Sequence, residues 1–154
     1  MPKETFFNLP EEKRQNIYNI AIDEFSNKPY EKVSISQIVS RAKIAKGSFY
    51  QYFEDKEDLY TYLIDMIGKE KIKFMEKDFD KIEDMDFFEF MRLLYRNGVK
   101  FAAAEPNLTK IATGFMVNIP KDLKHKIISR NTTSAVDLFN AFIQKAMDKN
   151  ELRD

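Results

Sequence analysis

The stretch VSISQIVSRAKIAKGSFYQYFEDK, residues 33–56, decides the fold of this chain. It predicts two short helices joined by a tight turn, followed by the capped start of a third helix. Ser34 and Gln37 have the spacing of a capping box, in which each side chain bonds a free backbone N–H of the other residue. The apolar residues that follow share one helical face: Ile35, Ile38, Val39 and Ala42.

The second short helix is predicted from Lys46 to about Tyr52, after a connection formed by residues 43–45. Phe49 and Phe53 lie four residues apart and form its buried side. The opposite side presents groups that can hydrogen-bond phosphates or base edges, as a helix in a major groove requires. These outward residues are Lys46, Ser48, Gln51 and Tyr52, with Tyr50 at the margin.

The stretch resembles the DNA-binding motif of TetR-family transcriptional regulators. The resemblance rests on Ser34, Ile38, Ala42, the run KGSFYQYF of residues 46–53, Lys56 and Leu59. It covers the first third of the chain well, and beyond that only helical character and overall layout are similar. Lys43 stands where the family usually has Gly, which suits the left-handed backbone after a helix end. Ala45 stands where the family usually has Ser or Thr, which can cap the next helix.

The resemblance and the outward side chains together imply a division of DNA contacts. We expect Lys46, Ser48 and Gln51 to reach base edges, and Tyr50, Tyr52 and Lys56 to hold phosphates. A cation at a helix start, such as Lys56, is otherwise electrostatically out of place. Gly47 costs about 1 kcal/mol relative to Ala inside a helix, but would let the backbone approach DNA closely. The predicted DNA-binding set also includes Ser34, Ser36 and Gln37.

These residues also have ordinary alternative roles. The tyrosines could be simple helix aromatics, and the lysines could be solvated surface charges. Because Phe49 and Phe53 already supply the buried side of the helix, an outward pair of phenols favours DNA contact.

Composition favours an all-α protein that works in a reducing compartment. The chain has 154 residues, 44% of them apolar, with only four Gly and five Pro, which argues against an all-β fold. There is no Cys, so we expect no disulfide framework and a cytoplasmic location. Charged residues interrupt every apolar run and nothing resembles a signal peptide, so we expect no membrane association.

The formal net charge is zero, but its distribution is uneven. Between residues 26 and 50, Glu31 is the one acidic residue. The basic residues in the same interval are Lys28, Lys32, Arg41, Lys43 and Lys46. The cationic surplus therefore lies where the motif is, as an approach to DNA phosphates requires.

The chain is predicted to form a head and a body. Residues 1–56 form a three-helix helix-turn-helix DNA-binding head, preceded by a short arm at residues 1–9 that need not be ordered. Residues 57–154 form a helical-bundle body for effector binding and dimerisation. A long helix capped by Asp55 runs from Lys56 to about residue 79 and joins the two. Further helices start at Asp84 or Asp86 and span residues 108–117 and 121 to about 149.

The last residues, 150–154, resemble the loop before the family's final two helices, which usually form the subunit interface. Two explanations are open: the chain is an unusually short member, or a C-terminal part lies beyond the given sequence. The apolar final helix, with whatever follows it, is expected to supply the contact between subunits.

The body between residues 74 and 147 is rich in Phe, Met and Tyr. Most of these residues form the core, but some could line an apolar cavity, with polar groups supplied by Tyr95, Asn97, Thr113 and Asn118. In the family the body commonly binds a small effector, and the alternative is an effector-free regulator with a filled core. The candidate lining residues are Phe88, Met91, Tyr95, Phe115, Met116 and Phe139.

The resemblance implies a repressor that acts as a homodimer on a pseudo-palindromic double-stranded DNA operator and is released by a small apolar or aromatic effector. A helical enzyme or carrier is the other reading. It lacks support, since His125 is the single His and there is no Cys, phosphate-binding glycine loop or nucleophile elbow. We therefore expect no catalytic residue, no cofactor and no metal site.

Overall fold

The computed structural model describes residues 1–78, 82, 84–131 and 133–148, with the side chains of residues 77, 130–139 and 141 outside the description. Regular structure in these ranges is entirely helical, which confirms the predicted all-α class. The helices are α1 (Glu4–Phe7), α2 (Glu11–Asn27), α3 (Ile35–Ala42), α4 (Lys46–Tyr52), α5 (Lys56–Lys73), α6 (Phe87–Ala104), α7 (Pro106–Val117), α8 (Lys121–Asn131) and α9 (Thr133–Asp148), with 3₁₀ turns at Tyr30–Lys32 and Glu76–Asp78.

Helices α2, α3 and α4 form a helix-turn-helix head around one buried cluster. Phe49 and Phe53 are fully buried, which confirms the predicted inner side of α4. The apolar face of α3 is buried through Ile38, Val39 and Ala42, while Ile35 is partly exposed. The buried residues of α2 against which they pack are Ile17, Ala21 and Phe25.

The turn between α3 and α4 depends on a left-handed lysine. Lys43 has φ 53° and ψ 41°. Its N–H donates to the carbonyl of Ser40 at 3.2 Å, and the N–H of Ile44 donates to that of Val39 at 3.1 Å, which closes the end of α3. Lys43 thus adopts the conformation for which the family's usual Gly is suited, at a steric cost that Gly avoids.

The predicted capping box at the start of α3 is not formed. Ser34 is the N-cap residue, but its side chain makes no capping hydrogen bond. The Gln37 side-chain oxygen instead accepts a hydrogen bond from Lys28 Nζ at 2.9 Å. A charged donor makes the stronger bond, so the end of α2 holds Gln37 in place of the local cap.

Residues 1–9 are part of the head rather than a free arm. Phe6, on α1, is only 1% exposed. Its ring centroid lies 4.8 Å from that of Phe53 and 5.5 Å from that of Tyr62. Helix α1 therefore covers the aromatic end of the head core, where α4 meets α5.

Helix α5 links the head to the body. Its predicted cap is confirmed, since the Asp55 carboxylate accepts a hydrogen bond from the N–H of Asp58 at 2.8 Å. The buried cluster of the head continues through α5 into α7 and α8. Its members there are Leu59, Leu63, Ile67, Leu108, Ile111, Phe115 and Ile127. One hydrophobic core thus crosses residue 56, and the domain boundary predicted there stays a prediction.

The body contains a second, smaller cluster. Helix α6 begins at a capping box in which the Asp86 carboxylate accepts from the N–H of Glu89 at 2.7 Å and the Glu89 carboxylate accepts from that of Asp86 at 3.1 Å. Phe90 of α6 stacks on Phe142 of α9, with ring centroids 4.0 Å apart. The region predicted as one final helix comprises α8 and α9, with residue 132 outside the described residues. In the described ranges, no helix has both the length and the apolar character needed to cross a bilayer.

Candidate nucleic-acid interface and body cavity

The side of α4 opposite Phe49 carries the predicted polar groups. The exposed ones are Lys46, Gly47, Tyr50 and Gln51. Ser48 and Tyr52 are partly buried, and Tyr52 leans on Phe6 with 6.2 Å between ring centroids. A methyl group built on Gly47 would meet no atom within 4 Å, so packing within the chain does not require glycine there. Of the residues predicted near the start of α3, Ser36 and Gln37 are exposed and Ser34 is partly buried.

The C-terminal end of α4 is held by the segment around α1. Lys3 donates from its backbone N–H to the carbonyl of Tyr52 at 2.8 Å, and from Nζ to that of Tyr50 at 2.9 Å. The Thr5 hydroxyl donates to the carbonyl of Gln51. These bonds satisfy carbonyls that a helix end leaves free, and the ammonium group stands where the helix dipole favours a cation. The short helix that bears the candidate DNA-contacting side chains is therefore fixed at its end.

The ammonium of Lys56 is occupied inside the head. Lys56 Nζ donates to the carbonyls of Tyr30 at 2.8 Å, Val33 at 3.2 Å and Glu31 at 3.3 Å. It also lies 4.4 Å from the centroid of the Tyr30 ring. These contacts explain a cation at a helix start without DNA, because the ammonium ties α5 to the turn before α3. The structure gives Lys56 a different role from the predicted one, and its phosphate contact stays a prediction.

Two of the cations counted in the motif region are paired with acidic residues of α2. Glu24 is 5% exposed, and accepts hydrogen bonds from Lys28 Nζ at 2.5 Å and from Arg41 Nη1 at 2.7 Å. Arg41 also pairs with Asp23 at 2.6 Å. The hydrogen bond from Lys28, and after it the one from Arg41, hold the pKa of Glu24 below its usual value although burial opposes the shift. This network locks α3 onto α2.

Fewer cations are left for an external partner than the five counted between residues 26 and 50 of the sequence. Lys32, Lys43 and Lys46 are exposed and form no ion pair within the part of the chain that the structure describes. Lys43 and Lys46 flank the turn that leads into α4. Two of these three free cations therefore lie beside the helix whose side chains are candidates for base contact.

The predicted cavity lining needs correction on α6. Tyr95 is 77% exposed and Phe88 is 50% exposed, so neither lines an internal cavity of this chain. The physical reason is the register of α6. Its inward face consists of Phe90, Leu93, Asn97 and Phe101, which leaves residues 88 and 95 on the outer face.

The other predicted lining residues do not form a single cavity wall either. Phe115 is buried in the main core, and Met91 is partly buried outside the cavity described next. The side chain of Phe139 lies outside the described residues. Among the described residues, Met116 is the one predicted apolar lining residue that borders the cavity between α5, α6 and α7.

A partly open cavity of about 410 Å³ lies between the last turn of α5, the middle of α6 and α7. Its apolar walls come from Met75, Leu94, Phe101 and Met116. Cavities of a few hundred Å³ with mainly apolar walls are typical of small-molecule sites. The cavity therefore keeps the predicted body location while using a different set of side chains.

Four polar residues also line this cavity, namely Lys71, Asn97, Thr109 and Thr113. Asn97 is 4% exposed, and its Oδ1 has no hydrogen-bond partner among the described residues. The buried Thr109 hydroxyl has none either. Lys71 Nζ lies 5.5 Å from the centroid of the Phe101 ring, and burial lowers its pKa. Buried polar atoms without partners are rare in proteins, and these two belong to residues that line the same cavity.

Comparison with known proteins agrees with this geometry. Residues 17–63 match the family model described as bacterial regulatory proteins of the tetR family. The chain is similar to a TetR family transcriptional regulator from Chloroflexus aurantiacus J-10-FL, with 35% identity and a TM-score of 0.68, over 97% of this chain and 68% of that one. This chain belongs to the TetR family.

Other similarities of this TetR-family chain are partial or more distant. It is 39% identical over 75 residues to the HTH-type transcriptional regulator YvdT of Bacillus subtilis strain 168, which is 44% of this chain and 36% of that protein. It shares its fold with a TetR-like regulator from Rhodococcus sp. RHA1, with a TM-score of 0.65 at 16% identity, over 93% of this chain and 76% of that one. The chain spans 22–55% of the length of the curated relatives it matches.

Several residues that shape these sites were not predicted as site residues. The bracing contacts of Lys3 and Thr5 join positions more than 40 residues apart, which helical periodicity does not report. The sequence did indicate that Phe6 is buried, because a large aromatic side chain is unfavourable in an arm exposed to solvent. Asn97 and Thr113, in contrast, were among the polar residues predicted for a body cavity, and both line the cavity described above.

Proposed function

We propose that this TetR-family chain is a DNA-binding transcriptional regulator that places α4 in the major groove. The observation that carries the proposal is the exposed polar side of α4, backed by the fully buried Phe49 and Phe53. In this arrangement Lys46, Ser48 and Gln51 approach base edges, while the phenols of α4 hold phosphates. Family membership supports the assignment, and we propose no catalytic role.

We further propose that two copies act together on a pseudo-palindromic site. Helix α4 has seven residues, and one such helix reads too few base pairs for a useful specificity ratio. Two heads held about 34–36 Å apart would read successive major grooves on one face of the duplex. Native mass spectrometry on a selected operator should find two chains, or a multiple of two, per DNA. One chain per operator would contradict this part of the proposal.

The body cavity supports regulation by a small effector. The protein would then be a repressor whose operator complex loosens when the cavity fills. By linkage, DNA must weaken effector binding by the same factor, typically about 5–150-fold. A regulator without an effector is the second candidate, and an open cavity with unpartnered polar groups favours the first.

Selection from random DNA tests the proposed function directly. Double-stranded fragments retained by the full chain would be amplified through several rounds and sequenced. We expect an inverted repeat to become enriched, with a spacing that matches one helical turn or a multiple of it. A head with Phe49→Asp, which removes the inner side of α4, provides a negative control. Retained fragments with no shared sequence would contradict the proposal.

A further inference from the structure

The cavity between α5, α6 and α7 is not matched to a purely apolar ligand. An apolar molecule would cover its walls but leave Asn97 Oδ1 and the Thr109 hydroxyl without partners. A buried polar group without a hydrogen bond is costly, so a ligand that supplies these bonds gains affinity that an apolar one lacks.

The orientation of the Asn97 amide is set by its neighbour. Asn97 Nδ2 donates to Asp78 Oδ2 at 3.5 Å, and Asp78 also faces Arg96 Nη2 at 3.7 Å. A carboxylate can only accept a hydrogen bond, so the amide nitrogen must point to Asp78 and Oδ1 must point away. Asn97 therefore keeps an unpartnered acceptor at the wall of the cavity. Thr109 adds a hydroxyl that can both donate and accept.

Lys71 gives the cavity a positive charge. It forms no hydrogen bond or ion pair within the described residues, and its ammonium lies near the face of Phe101. Although the residue has an exposed surface, burial lowers the pKa of its ammonium, so the charged group is partly removed from water. An anion beside it would offset this desolvation, as a partnered charge requires.

We propose that the cavity binds an amphipathic monoanion: a carboxylic acid with an apolar chain and one hydroxyl group. The carboxylate pairs with Lys71, and the hydroxyl donates to Asn97 Oδ1 and accepts from Thr109. The apolar chain lies along Met75 and Leu94. This assignment rests on the proposed effector function and replaces its apolar effector with a hydroxylated acid.

Binding of such a ligand would act on the head through α7. The two unpartnered oxygens are covered by neighbouring atoms in the ligand-free chain, so a ligand that hydrogen-bonds them must displace the atoms that cover them. Thr109 and Met116 border the cavity, while Leu108 and Ile111 on the same helix belong to the core shared with α2. Helix α7 packs directly on α2, so its displacement is transmitted to the head.

Calorimetric titration of the full chain, without DNA, tests the ligand class. The probes are 3-hydroxyoctanoate and 8-hydroxyoctanoate, which carry the hydroxyl near to and far from the carboxylate, together with octanoate, 1-octanol and octylammonium. We expect one hydroxy acid to bind about tenfold more tightly than octanoate, and octanoate to bind more tightly than octanol. Binding of octanol or octylammonium as tightly as the acids would overturn the proposal. Binding of none of the five would overturn it too.

Variants test the three proposed polar contacts, one by the ligand carboxylate and two by its hydroxyl. Lys71→Met keeps the apolar stem and should weaken octanoate about tenfold while leaving octanol unchanged; Lys69→Met, two residues earlier on α5, is the matched control. Thr109→Val keeps the side-chain shape and should remove the advantage of the hydroxy acid over octanoate. Asn97→Leu should do the same and serves as the second variant if Thr109→Val is unstable. Unchanged selectivity in folded variants would overturn the assignment.

Parallel anisotropy titrations on the selected operator separate this inference from the proposed function. A chain that binds operator but none of the five probes keeps its function and loses this inference. A chain that binds the hydroxy acid with the expected selectivity but no DNA keeps the ligand class and loses the regulatory function. If both hold, the hydroxy acid should lower operator affinity, and Lys71→Met should abolish that effect.

Discussion

Lys56 joins two parts of the head through one ammonium group. Its three carbonyl acceptors belong to Tyr30, Glu31 and Val33, at the turn that precedes α3, while its backbone starts α5. The Tyr30 ring beneath it is partly buried, and burial raises the pKa of that phenol to about 12, so the ring stays neutral at ordinary pH. The position of α3 relative to α5 therefore depends on this side chain.

Replacing Lys56 with Met should lower the free energy of unfolding by about 1–3 kcal/mol, because three carbonyls lose a charged donor. Urea denaturation of both proteins measures the difference. Lys46→Met, which alters an exposed cation of α4, is the matched control and should change stability by less than about 0.5 kcal/mol. Equal stability of Lys56→Met and the parent would show that the Lys56 ammonium makes no stabilising contact within the chain. It would then be available to bind a DNA phosphate.

Helix α1 acts as a brace at the scale of a single element. It fills the aromatic end of the head with Phe6, and its Thr5, together with the preceding Lys3, satisfies the last carbonyls of α4. A seven-residue helix is too short to be stable alone, so α4 depends on such tertiary contacts.

Phe6→Ala should destabilise the chain by about 3–5 kcal/mol, since it removes a buried ring and leaves a cavity against Phe53. The adjacent Phe7 is 46% exposed, so Phe7→Ala should cost much less and provides the control. Urea denaturation compares the two variants. A similar cost for both would mean that α1 is not docked on the head.

The ion-pair network between α2 and α3 should make stability depend on pH. The pKa of Glu24 is lowered in the folded chain by Lys28 and Arg41, so its contribution is complete above the unfolded pKa, about 4.3, and is lost as pH falls through the lower folded pKa. Glu24→Gln should therefore cost stability at pH 7, and the cost should shrink at pH 3. Denaturation of both proteins at the two pH values measures this, and a cost independent of pH would exclude the charged network as its source.

Elements whose determinants are local could be predicted from the sequence. The inner side of α4 follows from the spacing of Phe49 and Phe53, and the start of α5 follows from Asp55. The capping box predicted at Ser34 does not form, because the Gln37 side chain accepts a hydrogen bond from Lys28 instead. That hydrogen bond depends on how α2 and α3 pack, which local spacing does not contain.

The cavity shows the corresponding limit in the body. Apolar periodicity identifies α6 as a helix rich in large residues, among them Phe88 and Tyr95. It does not show which face of the helix packs against the core. Only the packed register of α6 against α5 and α7 places Asn97 inside and Tyr95 outside. A cavity is a property of the gap between helices, so no single helix predicts it.

At the scale of the whole molecule, head and body share one hydrophobic core. The core runs from Phe6 through α5 and α7 to Ile127, so the head is not tethered by a flexible linker. Proteins with packed interiors transmit small displacements between elements rather than absorbing them. Helix α7, between the cavity and α2, is therefore the element through which an effector would change the head.

The most direct test of the central claim, that α4 reads DNA, is a fluorescence anisotropy titration of the selected operator at fixed salt. The proteins are the parent chain, Gln51→Ala and the control Gln15→Ala, which changes an exposed glutamine of α2. Operators with single base-pair changes are titrated in parallel. We predict that Gln51→Ala loses about 1–3 kcal/mol of discrimination at one position of each half-site, keeps its affinity for unrelated DNA, and that Gln15→Ala binds as the parent does. Unchanged base preference in Gln51→Ala at every position would contradict the placement of α4 in the major groove.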